Sequence, residues 1–268
     1  MTILDAIILG LVEGITEFLP ISSTGHLIIT QSLLGLHGPA IEALLIIIQG
    51  PAILAVCWEF RQKLLHVALS LHHEAASRRF VISLLIVFLP VAILAKLFGD
   101  DIKAVLFNPV SVAIALVVGG FIILWAERRK HSERIQEVDQ VTALDALKLG
   151  AFQVLSLIPG TSRSGATIIG GLLCGLSRRT AAEFSFFVAI PVLLAATVYE
   201  SWKERADIAQ LEHTPLVVCG LVSFVSALLA VKFLIRFVSR HSFSAFAWYR
   251  IVFGGVILVT ALTGIVRW

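Results

Sequence analysis

Long apolar stretches separated by short polar ones make up most of this chain. Those at 41–58, 80–98, 108–125, 181–198, 214–235 and 245–266 approach or exceed the ~20 helical residues needed to cross ~30 Å of hydrocarbon. They predict six full transmembrane helices. Segments 3–36 and 142–176 follow another pattern, with apolar residues interrupted by Pro20 and by Pro159-Gly160 and with many polar positions in between. Their arms, about 15 residues or shorter, are too short to span a bilayer. Irregular backbone at membrane depth must line a cavity or be buried in protein, so these segments predict two re-entrant helical hairpins.

Composition agrees: 58% of residues are hydrophobic, 15% are charged and the mean hydropathy is +0.94. A water-soluble domain would carry more surface charge. The expectation is one all-α integral membrane domain over 1–268. The first apolar stretch lacks a basic leader and carries Asp5, Glu13 and Glu17, so it does not read as a cleavable signal peptide. The net charge of +3 is not gathered on a water-facing domain, which argues against nucleic acid as a partner. Basic residues instead mark what read as short loops: Arg61, Lys63, Arg78 and Arg79; Arg128, Arg129, Lys130 and Arg134; Arg178 and Arg179; Arg236 and Arg240. The positive-inside rule assigns these to the cytoplasm and puts the N-terminus and the loops at 99–107 and 201–213 outside. Cys57, Cys174 and Cys219 stand alone in apolar runs and read as small buried hydrophobes.

The two halves resemble each other at an offset of about 140 residues. Gly10, Glu13 and Thr16 fall opposite Gly150, Gln153 and Ser156, and Pro20 and Ser23 opposite Pro159 and Ser162. Pro51 falls opposite Pro191, Trp58-Glu59 opposite Tyr199-Glu200, Lys96 opposite Lys232, and Gly119-Gly120 opposite Gly254-Gly255. Each half, approximately 1–130 and 140–268, is then a broken hairpin followed by three crossings. An odd number of crossings inverts the second copy, and inverted-topology repeats place their sites near the midplane, where the two broken tips could meet.

Candidate chemistry sits on those tips. Glu13 and Glu17 are four apart and share a helix face. Two carboxylates in a membrane are costly unless one is protonated or a cation sits between them; a structural, hydrogen-bonded pair is the plainer reading. After Pro20, the Ser22-Ser23-Thr24 loop offers hydroxyls and free backbone N–H groups. His26, just past the turn, has acid–base chemistry near neutral pH, although alone it reads as a packed polar residue. In the second hairpin Arg163 lies in an uncharged stretch among Thr161, Ser162, Ser164 and Thr167. A guanidinium, hydroxyls and a helix N-terminus are the parts of an oxyanion site. The plainer reading makes Arg163 a counter-ion for Glu13 or Glu17. Glu42, Gln49, Lys96, Glu183, Lys232 and Arg250 read as helix-end or packing residues, and His72-His73-Glu74 as a solvated run.

With EGITEFLPISSTGH at 13–26 and PGTSRSGAT at 159–167, the chain resembles the undecaprenyl-pyrophosphate phosphatase family, the integral-membrane type associated with bacitracin resistance. QGPAILAV at 49–56, AEFSF at 182–186 and WYR at 248–250 extend the resemblance along the chain, which departs from the family pattern at Gly50-Pro51-Ala52. The resemblance implies a bacterial inner-membrane hydrolase with a site opening outward. Its lipid substrate would be undecaprenyl pyrophosphate, converted to the monophosphate carrier and inorganic phosphate for peptidoglycan precursor recycling. It implies a divalent cation, magnesium or alternatively calcium, and leaves the assembly between monomer and homodimer. The residues it carries over are Glu13, Glu17, Ser22, Ser23, Thr24 and His26, then Ser162, Arg163, Ser164 and Thr167.

Phosphoryl transfer gives these residues expected roles. Arg163 and its helix N-terminus would hold phosphate oxygens, and Glu17 with Glu13 the cation. Ser23 would be the nucleophile, with His26 or Glu17 taking its proton; a water activated by Glu17 competes with it. The rival reading is a transporter or flippase for the lipid carrier, since inverted repeats with broken helices are also transporter architecture.

Overall fold

The computed structural model describes residues 1–129 and 132–264, among which all regular structure is helical. Lys130 of the basic cluster and residues 265 and 266 of the last apolar run lie outside the described residues. The first hairpin is α1 (Ile3–Thr16) and α2 (Ser23–Leu33), and the second is α8 (Ala143–Val154) and α9 (Arg163–Leu173). Between them come α3 (Pro39–Ile47), α4 (Gln49–Glu59), α5 (Arg61–Ser70), α6 (Ala75–Leu106) and α7 (Pro109–Arg128). After them come α10 (Arg178–Lys203), α11 (Arg205–Ile208), α12 (His213–Val238) and α13 (Ser244–Thr263). The six stretches long and apolar enough to cross a membrane are α3 with α4, Ala75–Ile102 of α6, α7, α10, α12 and α13.

The long helices start and stop where local chemistry dictates. α7 begins at Pro109, whose missing N–H costs nothing at a helix start, and Asn108 caps it by accepting from the Ser111 N–H at 2.9 Å. Both hairpins open with a capping box, Thr2 with Asp5 and Thr142 with Asp145. Exposed apolar stripes such as Leu85, Leu89, Ile93 and Leu97 on α6 recur at helical spacing and provide the lipid-facing surface. Trp58, Trp125 and Trp202 end α4, α7 and α10, and Arg61, Arg129 and Arg205 lie over their rings at 5.0, 4.6 and 4.9 Å. That is an interfacial belt at the ends of three spans.

The first apolar run crosses as one span kinked at Ile48, between α3 and α4, because Pro51 has no N–H to bond the carbonyl of Ile47. Three expectations need correction. The segment 99–107 is not a loop: a lone Gly99 does not stop a helix, and α6 runs on to Leu106. The 201–213 connection contains the short α11. Most of the basic residues sit on helices, with Arg61 and Lys63 on α5, Arg78 and Arg79 at the start of α6, and Arg178 and Arg179 at the start of α10.

Each hairpin packs on a long helix of the other half, α1 on α12 and α8 on α6. Lipid tails are as apolar as the helices, so association here depends on close backbone approach and polar contacts. Gly14 makes this possible on α1, because a Cβ there would lie 2.4 Å from the Ser223 carbonyl oxygen. Ser226 donates across the same interface to the Gly10 carbonyl at 3.1 Å. On the second hairpin, Gln153 reaches the Val87 carbonyl at 3.5 Å. Beneath the first tip, Phe18 meets Phe186 edge-on at 5.8 Å, and Phe187 packs on Phe60 and Phe80, forming an aromatic floor.

The segment joining the halves is tied to the mouth of the second hairpin. Arg134 pairs with Asp145 and donates to the Cys174 carbonyl, so it touches the start of α8 and the end of α9. Burial pushes the Asp145 carboxyl up, but the bonds from Arg134 and Thr142 outweigh it and hold the group below the usual carboxylate range.

Candidate active site

Pro20 and the Pro159-Gly160 pair break their hairpins, and the breaks resemble each other in detail. The residue just before each inner helix, Ser22 and Ser162, is a serine in left-handed backbone, with φ of 70° and 69°. No other described non-glycine residue has a positive φ. Such residues cost about 1–3 kcal/mol and collect where function demands them. Ser162 recovers part of the cost by accepting the Gly165 N–H at 3.1 Å. Gly160, at φ 91°, lies so close to α7 that a Cβ would come within 2.5 Å of the Val112 carbonyl oxygen.

The two tips meet. Ser164 of the second donates to the Leu19 carbonyl of the first at 2.9 Å. Glu17, at the end of α1, accepts Ser23 Oγ on Oε2 at 2.5 Å and Arg163 Nη2 on Oε1 at 3.2 Å. Arg163 also donates to the Ser185 carbonyl at 3.0 Å, and its buried Nε has no partner among the described residues. Thr167, one turn on, bonds the Arg163 carbonyl and Ser185 Oγ and fixes α9 against α10.

These groups form the polar end of a cavity of about 630 Å³. Glu17, Ser22, Ser23, Thr24, Ser162 and Arg163 line it, while Phe88, Val91, Val192 and Leu193 supply apolar wall. The mouth, at the ends of α6 and α10, carries Asp100, Tyr199, Glu200 and Lys203. A polar end beneath an apolar wall suits a head group with a hydrocarbon tail.

Of the carried-over residues, Glu13, Ser164, Thr167 and His26 do not line the cavity. Glu13 is fully buried behind Glu17, and neither of its carboxyl oxygens has a hydrogen-bond partner among the described residues. Ser164 spends its hydroxyl on the other hairpin, at the Leu19 carbonyl, and Thr167 spends its own on α9 and on Ser185 of α10. His26, expected as an acid–base group, is held by contacts of its own. Its Nδ1 meets the Ser22 carbonyl and its Nε2 the Tyr249 hydroxyl, each at 2.7 Å, and its ring stacks on Phe253 at 4.0 Å. Both nitrogens are engaged away from Ser23, and the hydroxyl's partner is Glu17.

Gln49 and Lys96, expected as helix-end or packing residues, also line the cavity. The signal for them was in the sequence, because a polar residue inside an otherwise apolar span has a pore, a cavity or a partner to face. For Lys96 no ion-pair partner occurs among the described residues.

The orphaned Glu13 oxygens bear on the expected cation. An ionised carboxylate buried without a partner is strongly unfavourable, so the Glu13–Glu17 pair suits a bound cation or a proton. Among the described residues no three His, Cys, Asp or Glu gather into a closed metal cage. A magnesium ion needs no such cage, since it commonly takes one or two carboxylates and completes its shell with phosphate oxygens and water. The residues fit that group, and fit calcium, with its larger ligand count, less well.

The family model of Bacitracin resistance protein BacA matches residues 6–256. A protein of Rhodospirillum rubrum called Undecaprenyl-diphosphatase 2 is 58% identical over 267 residues, covering 99% of this chain and 97% of its own. Proteins called Undecaprenyl-diphosphatase from Dechloromonas aromatica and Pseudomonas fluorescens are 56% and 55% identical. They cover 99% and 100% of this chain and 97% of each relative.

Proposed function

The chain belongs to the bacitracin resistance protein family, and from that membership we infer that it is an undecaprenyl-diphosphatase, hydrolysing the lipid pyrophosphate to the monophosphate and inorganic phosphate. The relatives' names support a hydrolase and lend nothing to the transporter reading. The observation that carries the reading is one set of contacts: Ser23 on Glu17, Glu17 on Arg163, all at the polar end of one cavity. A binding site needs donors for phosphate. A hydroxyl held on a carboxylate is the further part a reaction needs.

Ser23 Oγ is the nucleophile. It attacks the terminal phosphorus while its proton passes to Glu17 Oε2, and the bridging P–O bond breaks to release the lipid monophosphate. Glu17 gives that proton to the departing lipid phosphate. Water then attacks the phosphoserine, Glu17 takes the water's proton and passes it to Ser23 Oγ as the P–Oγ bond breaks, and inorganic phosphate leaves. Arg163, whose two Nη groups each keep an uncommitted N–H, holds non-bridging oxygens, helped by the N–H groups that open α9. Ser22, Thr24 and Ser162 line the same end and supply further donors. Glu17 and Glu13 would hold the divalent cation, which when bound neutralises charge on the pyrophosphate oxygens. His26 is a strut that holds α2 against Tyr249, not the base.

The protein is a multi-pass membrane protein. We place it in the bacterial inner membrane with the mouth, at the ends of α6 and α10, facing outward and the basic helix ends inward. The crossed packing of α1 on α12 and α8 on α6, with the matched serines 22 and 162, supports reading the halves as inverted repeats.

The test is phosphate release from undecaprenyl pyrophosphate by purified protein in detergent. Release with magnesium and loss with chelator are expected. Binding without release under any divalent cation would replace the hydrolase with a carrier.

A further inference from the structure

Arg250 lies outside the cavity, is 1% exposed, and has no carboxylate partner among the described residues. It spends its guanidinium entirely on backbone carbonyls. Nε donates to Leu116 at 3.2 Å. Nη1 donates to Pro20 at 3.2 Å and Thr161 at 2.9 Å. Nη2 donates to Ala115 at 3.1 Å and Gly160 at 3.2 Å. A guanidinium has five N–H donors, and all five are used. Arg163 is the opposite case, with donors left over and one face on the cavity. That accounting separates the arginine that can meet a phosphate from the one that cannot.

The acceptors are not scattered. Pro20 lies in the break of the first hairpin, three residues before Ser23, and Gly160 and Thr161 lie in the break of the second, just before Arg163. Ala115 and Leu116 belong to α7, the rigid span behind both. We propose that Arg250 is a positioning residue: a five-bond clamp that sets the register of the first tip, with its Ser23, against the second, with its Arg163. It acts through those two residues and touches no substrate. The neighbouring Tyr249 reinforces the same tip by holding His26.

A planar fork is needed for this, because an ammonium cannot reach five carbonyls in three directions. Space is needed as well, and Gly119 supplies it: a Cβ there would lie 2.2 Å from Arg250 Nη2. Gly119→Ala therefore displaces the guanidinium while leaving its charge in place, and alanine is the better helix former. Gly255 provides the control, since a Cβ there meets nothing within 4 Å.

The experiment measures kcat and KM for undecaprenyl pyrophosphate with Arg250→Lys, Gly119→Ala and Gly255→Ala, counting only monodisperse protein. Misplacing reacting groups by about 1 Å costs on the order of 100-fold in rate. The expected result is a fall in kcat of at least about 10-fold for the first two variants, with KM within about threefold, and wild-type kinetics for Gly255→Ala. Arg250→Lys at wild-type kcat would overturn the clamp. If Arg250→Lys yields no folded protein, Gly119→Ala decides alone, and its wild-type kcat would be equally fatal. A wild type that releases no phosphate at all tells against the hydrolase reading instead, so the two failures are distinguishable.

Discussion

Arg163 Nη2 and Glu17 Oε1 lie 3.2 Å apart across 146 residues of sequence, and the contact joins the two hairpin tips. Both side chains are more than nine-tenths buried yet line the cavity. A pair serving only stability would satisfy both partners, whereas Arg163 Nε is left without one. Arg163→Lys keeps the charge and loses the fork. Loss of one well-placed transition-state donor costs on the order of 10²–10³ in rate. Steady-state assays should show a loss of that size; activity within a few-fold of wild type would reduce Arg163 to a counter-ion.

The two carboxylates divide unequally. Glu17 touches Ser23, while Glu13 lies behind it with both oxygens unpartnered. Glu17→Gln should abolish turnover, since the amide cannot accept the serine proton. Glu13→Gln should act more mildly, raising the magnesium concentration needed for half-maximal rate. Magnesium titrations of both variants check this, and unchanged curves for both would remove the cation from these residues.

At the entrance of the second hairpin, Thr142 caps α8, and Asp145, its capping-box partner, pairs with Arg134. Its carboxyl is held below the usual range, so its contribution to stability is present above the unfolded-state value and disappears as pH falls through the lowered folded value. Asp145→Asn should cost about 1.5–3 kcal/mol, the usual worth of hydrogen bonds to a charged group. Melting curves in detergent should show a lower midpoint near neutral pH, a gap that narrows in acid, and unchanged kcat for the folded fraction.

Topology is tested with single cysteines in a background lacking Cys57, Cys174 and Cys219. With an impermeant thiol reagent on intact spheroplasts, a cysteine at Ala206 should label and one at Ser132 should not. The reverse pattern would turn the molecule over and put the cavity mouth in the cytoplasm.

The sequence discloses the hairpins and spans because the bilayer enforces length and polarity, and Pro20 and Pro159 mark the breaks plainly. It also discloses Glu17, Ser23 and Arg163, since polar groups at membrane depth must face something. It does not disclose that His26 faces Tyr249, because a histidine one turn past a serine can point either way. Arg250 was hidden for a different reason. Its partners are carbonyls, which carry no side-chain signature, so nothing in WYR tells a clamp from a helix-end charge. The break at Ile48 was legible in Pro51 but masked by the unbroken apolar run around it.

Ser23→Ala tests the account at its centre, because the methyl group removes the nucleophile and leaves Glu17, Arg163 and both tips in place. General-base and nucleophilic contributions of this kind are worth at least about 10²–10⁴ in rate. Phosphate release and binding of undecaprenyl pyrophosphate are measured side by side on the purified variant. The account predicts that release collapses by at least that factor while affinity stays within a few-fold of wild type. Hydrolysis by Ser23→Ala at near wild-type rate would contradict it and hand the attack to water.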